Sequence, residues 1–143
     1  MTTASSTDLP RTVVYDTSVL INSDQVDLGH YEDSNVVVGA ISVAELAYGL
    51  DVVGGAEAEA RAQRFREVLD NYEILRFGVE EAKLNGAMAS LVGIAGRDPR
   101  PRRVDLQIAA TAAAARFPLL TCDPKDFVGI ERLVDVVALI RTE

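Results

Sequence analysis

One cysteine, Cys122, excludes an internal disulfide and any thiolate metal cage, and fits a reducing compartment. One histidine, His30, stands in the polar stretch SDQVDLGHYEDS at 23–34 and reads as a surface residue. Nothing brings it to Cys122, so a cysteine–histidine nucleophile has no support. No GxGxxG or Walker-type loop occurs, which leaves nucleotide binding without a motif. No apolar run approaches the roughly 20 residues of a spanning helix. The polar start MTTASSTDLPRT resembles neither a signal peptide nor a membrane anchor. The expectation is a cytoplasmic protein without a membrane, with a flexible tail over 1–11 and a single domain over 12–143. Basic residues are also scarce, 14 Lys and Arg against 22 Asp and Glu, for a net charge of -8. That balance argues against a protein that coats nucleic acid by neutralising phosphates. A nuclease is not excluded, because divalent ions cancel site charge and a local arginine cluster can hold one strand.

What the chain does have is a 48% hydrophobic content, enough for one compact domain. The β-branched or apolar runs VVY (13–15), VVV (36–38) and PLLT (118–121) read as buried strands separated by helical patterns, the rhythm of a parallel sheet. Ala58, Ala62, Phe65, Leu69 and Tyr72 recur at helical steps from Glu57 to Tyr72. A short strand is expected over 72–77, a helix over 79–95, an alanine-rich helix over 106–117 and a last strand over 133–139. The segment RDPRPRR at 97–103, with four arginines and two prolines, reads as an exposed loop.

Four carboxylates stand each as the sole charged side chain in an apolar or small-residue window. They are Asp16 in TVVYDTSVLINS, Glu45 in SNVVVGAISVAELAYGL, Asp105 in VDLQIAATAAAA and Asp123 in FPLLTCDP. Removing an isolated carboxylate from water costs several kcal/mol unless a cation, hydrogen bonds or a proton compensates it. None of the windows contains Lys or Arg. Asp16 and Asp123 fall at carboxyl ends of strands, the edge where open α/β sheets gather ligands. Glu45 shares a helical stripe with Ile41, Ala44 and Tyr48, an apolar face, and Asp105 opens the alanine-rich helix. Asp105 and Asp123 also suit helix N-termini, a role compatible with ligation. Four acids on one rim repel one another, and the natural counterion for an all-oxygen group is a hard divalent metal. Ser18 and Thr121, each two residues from an acid, read as hydrogen-bond donors that orient carboxylates or as turn residues. Arg97, Arg100, Arg102 and Arg103 read as a solvated loop or as a phosphate-holding one.

The segments DTSVLI (16–21), SVAELAYGL (42–50), DLQIAATA (105–112) and TCDPKDF (121–127) together resemble the motifs of PIN-domain ribonucleases, specifically the VapC toxins of VapBC toxin-antitoxin pairs. The resemblance runs in order from about Val13 to Val137. It implies a three-layer α/β domain with a mainly parallel central sheet flanked by helices. It also implies an acidic quartet of Asp16, Glu45, Asp105 and Asp123, supported by Ser18 and Thr121, with Asp126 as a further acid. Either Asp123 or Asp126 is the nearer metal ligand. The implied activity is Mg²⁺- or Mn²⁺-dependent endoribonuclease cleavage that leaves a 5′-phosphate and a 3′-hydroxyl on transfer or ribosomal RNA. In that reading Asp16, Asp105 and Asp123 hold metal, Glu45 binds metal or positions water, and the loop arginines grip RNA with Arg61 and Arg64 as weaker candidates. A VapB-like antitoxin and homodimerisation are implied as well. A haloacid dehalogenase reading fails because Ser18 stands where that family needs a second Asp. A noncatalytic PIN-fold binding domain is the better rival.

Overall fold

The structure, a computed structural model, describes residues 11–51 and 54–142. The expected tail lies outside them apart from Arg11. Five strands form one parallel sheet: β1 (Thr12–Tyr15), β3 (Asn35–Gly39), β4 (Glu73–Leu75), β5 (Leu119–Thr121) and β6 (Val136–Ala138). Their order is β4-β3-β1-β5-β6, so β1 sits centrally between β3 and β5. Tyr15 is in register with Val38 on one side and Leu120 on the other. The carboxyl ends of the three central strands therefore align at one edge.

Near-continuous apolar strands are what a sheet covered on both faces demands. Alternate residues serve two cores. Val14, Val37 and Leu119 pack with Met88, Val92, Leu106 and Ile108, from helices α4 (Val79–Ile94) and α5 (Arg103–Ala115). Val13, Tyr15, Val38 and Leu120 pack on the opposite face with Val19, Leu20 and Val68, from α1 (Thr17–Ile21) and α3 (Gly55–Asn71). The result is the expected three-layer arrangement. Each buried aliphatic side chain contributes about 1.5–3 kcal/mol relative to exposure. Helix α2 (Ala40–Tyr48) leaves the end of β3 directly. Alanines 109, 110 and 112 are fully buried, and their small side chains let α5 lie close to the sheet. A Cβ on Gly39, where β3 passes into α2, would stand 3.3 Å from Thr111 Cγ2.

Several boundaries differ from expectation for local reasons. Helix α5 spans Arg103–Ala115 rather than 106–117. Its end is fixed by Arg116 in the left-handed region at φ 65, and by Pro118, which disfavours a helical Phe117. The 97–103 segment is mostly exposed as expected, but Arg100–Arg102 form a 3-10 turn and Arg103 already opens the helix. Strand β4 covers 73–75 and β6 only 136–138, since Val134 turns into the core instead. A further pair was not expected: β2 (Val26–Asp27) runs antiparallel to β7 (Ile140–Arg141).

Candidate active site

Asp16 directly follows β1 and is buried at 5% exposure. It occupies the position before α1 yet makes no side-chain cap, so capping does not account for it. Its Oδ2 instead accepts hydrogen bonds from Ser18 Oγ and Thr121 Oγ1, each 2.8 Å. Both hydroxyls have a second partner. Thr121 Oγ1 accepts the Asp123 N–H at 3.0 Å, and Ser18 Oγ accepts the Cys122 N–H at 3.0 Å. Two hydroxyls thus tie the carboxylate after β1 to the backbone after β5. Burial pushes the Asp16 carboxyl above its ordinary value, hydrogen bonds from Thr121, Ser18 and the Thr17 backbone oppose the shift, and the charge of Asp123 adds to it.

Asp105 lies in the first turn of α5 and is half-buried. Its carboxyl is pushed up to about 7, first by burial and then by the charges of Asp16, Asp126 and Glu45, with Arg102 pulling the other way. The charges of Asp16, Asp126 and Glu45 thus meet at Asp105, and Asp123 is tied to Asp16 through the Thr121 hydroxyl. Glu45 is held differently from expectation. It is exposed, and its stripe runs from Ile41, half-buried against the core, out to solvent at Ala44 and at Tyr48, which is 82% exposed. Residues of α2 that face inward include fully buried Ser42. Glu45 Oε1 nevertheless accepts a hydrogen bond from Thr17 Oγ1 at 2.5 Å, and the Thr17 and Ser42 hydroxyls are 2.9 Å apart. That link anchors α2 to the start of α1.

Asp123 and Asp126 are half-buried in the turn after β5, and Asp123 makes no cap either. Arginines approach both. Arg141 Nη2 donates to Asp123 Oδ1 at 3.4 Å, and Arg102 Nη1 donates to Asp126 Oδ1 at 3.0 Å and to the Lys125 carbonyl at 2.8 Å. Of the other loop arginines, Arg97 donates to the Lys125 carbonyl at 3.3 Å and Arg100 is engaged by both oxygens of Asp98. The Arg103 side chain has no hydrogen-bonding partner among the described residues. Thr17 and Arg141 went unnoticed in sequence. Thr17 carries a weak signal, a hydroxyl directly after an isolated acid, whereas Arg141 carries none.

Among the described residues no three acids converge closely enough to form a ready-made ligand cluster. Mutual repulsion and the two arginine ties account for that spread. The donor set still fits a hard divalent cation. It is all oxygen, it includes a buried carboxylate fixed by two hydroxyls, and the neighbouring Asp105 carboxyl is raised first by burial and then by the surrounding acids.

A model of the PIN domain matches residues 13–133 of the chain. The chain belongs to the PIN-domain family. This PIN domain is 29% identical to a protein named Ribonuclease VapC from Rickettsia bellii over 126 residues, covering 85% of the chain and 92% of the relative. It is also similar to the structure of VapBC-5 from Mycobacterium tuberculosis, of the VapBC family of toxin-antitoxin systems, with a TM-score of 0.77 and 29% identity over 90% of this chain and 99% of that one. FitAcB from Neisseria gonorrhoeae matches with a TM-score of 0.71 over 87% and 96% of the two chains. At 23% identity that likeness speaks for the PIN fold. Among the described residues, no helix of this PIN domain is long and apolar enough to cross a membrane.

Proposed function

We propose that the chain is the toxin of a type II toxin-antitoxin pair and acts as a Mg²⁺- or Mn²⁺-dependent endoribonuclease. The observation that carries this reading is the buried Asp16 carboxylate, which accepts hydrogen bonds from Ser18 and Thr121 and faces the charges of Asp123 and Asp105. The similarity to Ribonuclease VapC and to VapBC-5 supports the substrate class and the pairing with a VapB-like antitoxin.

Asp16, Asp105 and Asp123 would hold the cation, with Asp126 beside them. When bound, a divalent cation supplies Lewis-acid chemistry, lowering the pKa of water and offsetting charge on a phosphodiester in the transition state. Ser18 and Thr121 keep Asp16 in one orientation, so no reorganisation is needed as substrate arrives. Glu45, exposed at the rim and braced by Thr17, would bind the cation directly or through water, or position the attacking water. Arg102, already at the acid edge, and Arg103, whose side chain has no hydrogen-bonding partner among the described residues, are the loop arginines best suited to a phosphate. The expected products carry a 5′-phosphate and a 3′-hydroxyl. Transfer and ribosomal RNA are the substrate classes, and a homodimer in the cytoplasm is the working form.

The test is cleavage of a structured RNA panel with Mn²⁺, with chelator and with Asp16→Asn. Chelation should abolish cleavage, and the substitution should lower it by about a hundredfold to a thousandfold, the scale of losing one central electrostatic group. Cleavage untouched by either change would favour a noncatalytic PIN-fold binding domain with a contaminating nuclease.

A further inference from the structure

A cavity of about 390 Å³ opens beside the candidate active site, between α3 and the α1–α2 corner. Its walls include Thr17 and Glu45 on the site side, Ile21, Leu46 and Ala60 as an apolar floor, and Arg64. Glu45 and Thr17 belong both to this cavity and to the carboxylate rim, so a ligand spanning the two needs no bridge of protein between them. Pockets for small molecules run from about 300 to 1,000 Å³, apolar with a few placed polar groups, and one nucleotide unit suits the low end of that range.

The two arginines of the cavity differ in state. Arg61 is fixed and neutralised, donating to Glu57 Oε2 and to the Gly49 carbonyl, each at 3.0 Å. Arg64, one turn along α3, is half-buried and has no hydrogen-bond or ion-pair partner among the described residues. A partly desolvated guanidinium in a chain of net charge -8 stands out as a cation awaiting an anion. Guanidinium geometry favours an anion with paired oxygens, which a phosphodiester supplies.

We infer that this cavity is a nucleotide subsite, binding one unit of single-stranded RNA next to the cleaved bond, with its phosphate on Arg64 and its base or ribose against Ile21, Leu46 and Ala60. The inference rests on the nuclease reading above and adds a binding determinant to it. Arg64 is a positioning residue here. The RNA would run from the cavity past Glu45 to the acid edge.

The experiment measures binding of a fluorescent 12-nucleotide single-stranded RNA to the full chain without divalent ions, by anisotropy across a salt series. The variants are Arg64→Gln, Arg64→Lys and Ala60→Phe, with melting curves as folding controls and Mn²⁺ affinity measured by calorimetry. Arg64→Gln should weaken RNA binding about fivefold to tenfold and reduce the slope of log affinity against log salt by about 0.7, the value for one lost single-strand phosphate contact. Arg64→Lys should restore the slope but not the full affinity, and Ala60→Phe should weaken binding with the slope intact. Mn²⁺ affinity should stay within about twofold throughout, which separates a subsite from general damage to the site. Wild-type RNA binding with Arg64→Gln unchanged in affinity and slope overturns the subsite alone. Absence of RNA binding and of Mn²⁺-dependent cleavage by the wild type overturns subsite and nuclease reading together. Competition by a glutamate heptapeptide stronger than by a nucleoside monophosphate assigns the cavity to a protein ligand and also overturns it.

Discussion

Thr121 shows how much one hydroxyl can be asked to do. It has no exposure, it donates to Asp16 Oδ2 and it accepts the Asp123 N–H. Thr121→Val keeps shape and removes both bonds. The buried Asp16 then loses a donor that opposes its desolvation, and the turn carrying Asp123 loses its anchor. The expected outcome is a loss of about tenfold to a hundredfold in cleavage rate or Mn²⁺ affinity, the usual effect of removing a hydrogen-bond partner of a ligating group. A single-turnover assay paired with a metal titration separates the two contributions. A variant with wild-type rate and affinity would show that Ser18 alone orients Asp16. The isolation of each acid made Asp16, Asp105 and Asp123 legible in sequence, because an uncompensated carboxylate in an apolar window is anomalous in one dimension already. The exposure of Glu45 was not legible. An apolar helical stripe looks the same whether it meets a core or, as with Tyr48 here, water.

At the scale of elements, the candidate site forms because parallel β1 and β5 end side by side, with Asp16 directly after β1 and Asp123 two residues after β5. Helix α5 brings Asp105 and α2 brings Glu45 to the same edge. The strand runs, the helical spacing of α3 and the parallel rhythm all lie in local pattern and could be read from it. The β2–β7 pairing could not. Strands of two residues have no periodicity to detect, and 140–141 meets 26–27 only after the sheet has closed. That pairing carries Arg141 to Asp123, where an exposed ion pair of 3.4 Å forms. Arg141→Gln should remove a competing cation and strengthen Mn²⁺ binding about twofold to threefold at low salt, an effect that fades as salt screens the charges. Stability should change by no more than about 0.5 kcal/mol, as for most exposed pairs. Calorimetric titration at two ionic strengths checks this, and weaker metal binding in the variant would mean that Arg141 supports the site rather than competing with the metal.

For the whole molecule, the acidic edge is a stored electrostatic cost, and its dependence on pH has a definite sign. Asp105 has an ordinary value of 3.8 and a folded value of about 7, and Asp16 is shifted in the same direction. Between these limits the folded chain binds more protons than the unfolded chain, so its stability falls as pH rises. The penalty is absent below the unfolded value, grows from about pH 4 to about pH 7, and is complete above that. The metal-free protein should therefore melt at a higher temperature at pH 5.5 than at pH 8, and Asp105→Asn should flatten much of that difference. Mn²⁺ works against the same cost. It binds the ionised acids of the folded state and stabilises by mass action, about 2.7 kcal/mol at a hundredfold excess over its dissociation constant. The Mn²⁺-induced rise in melting temperature should be large at pH 8 and small at pH 5.5, where protons hold the carboxylate of Asp105 instead. Melting curves with chelator and with Mn²⁺ at both values decide it. A metal-free protein that is more stable at pH 8 than at pH 5.5 would show that Asp105 is compensated within the fold, and with that the electrostatic argument for a cation at this edge would fail.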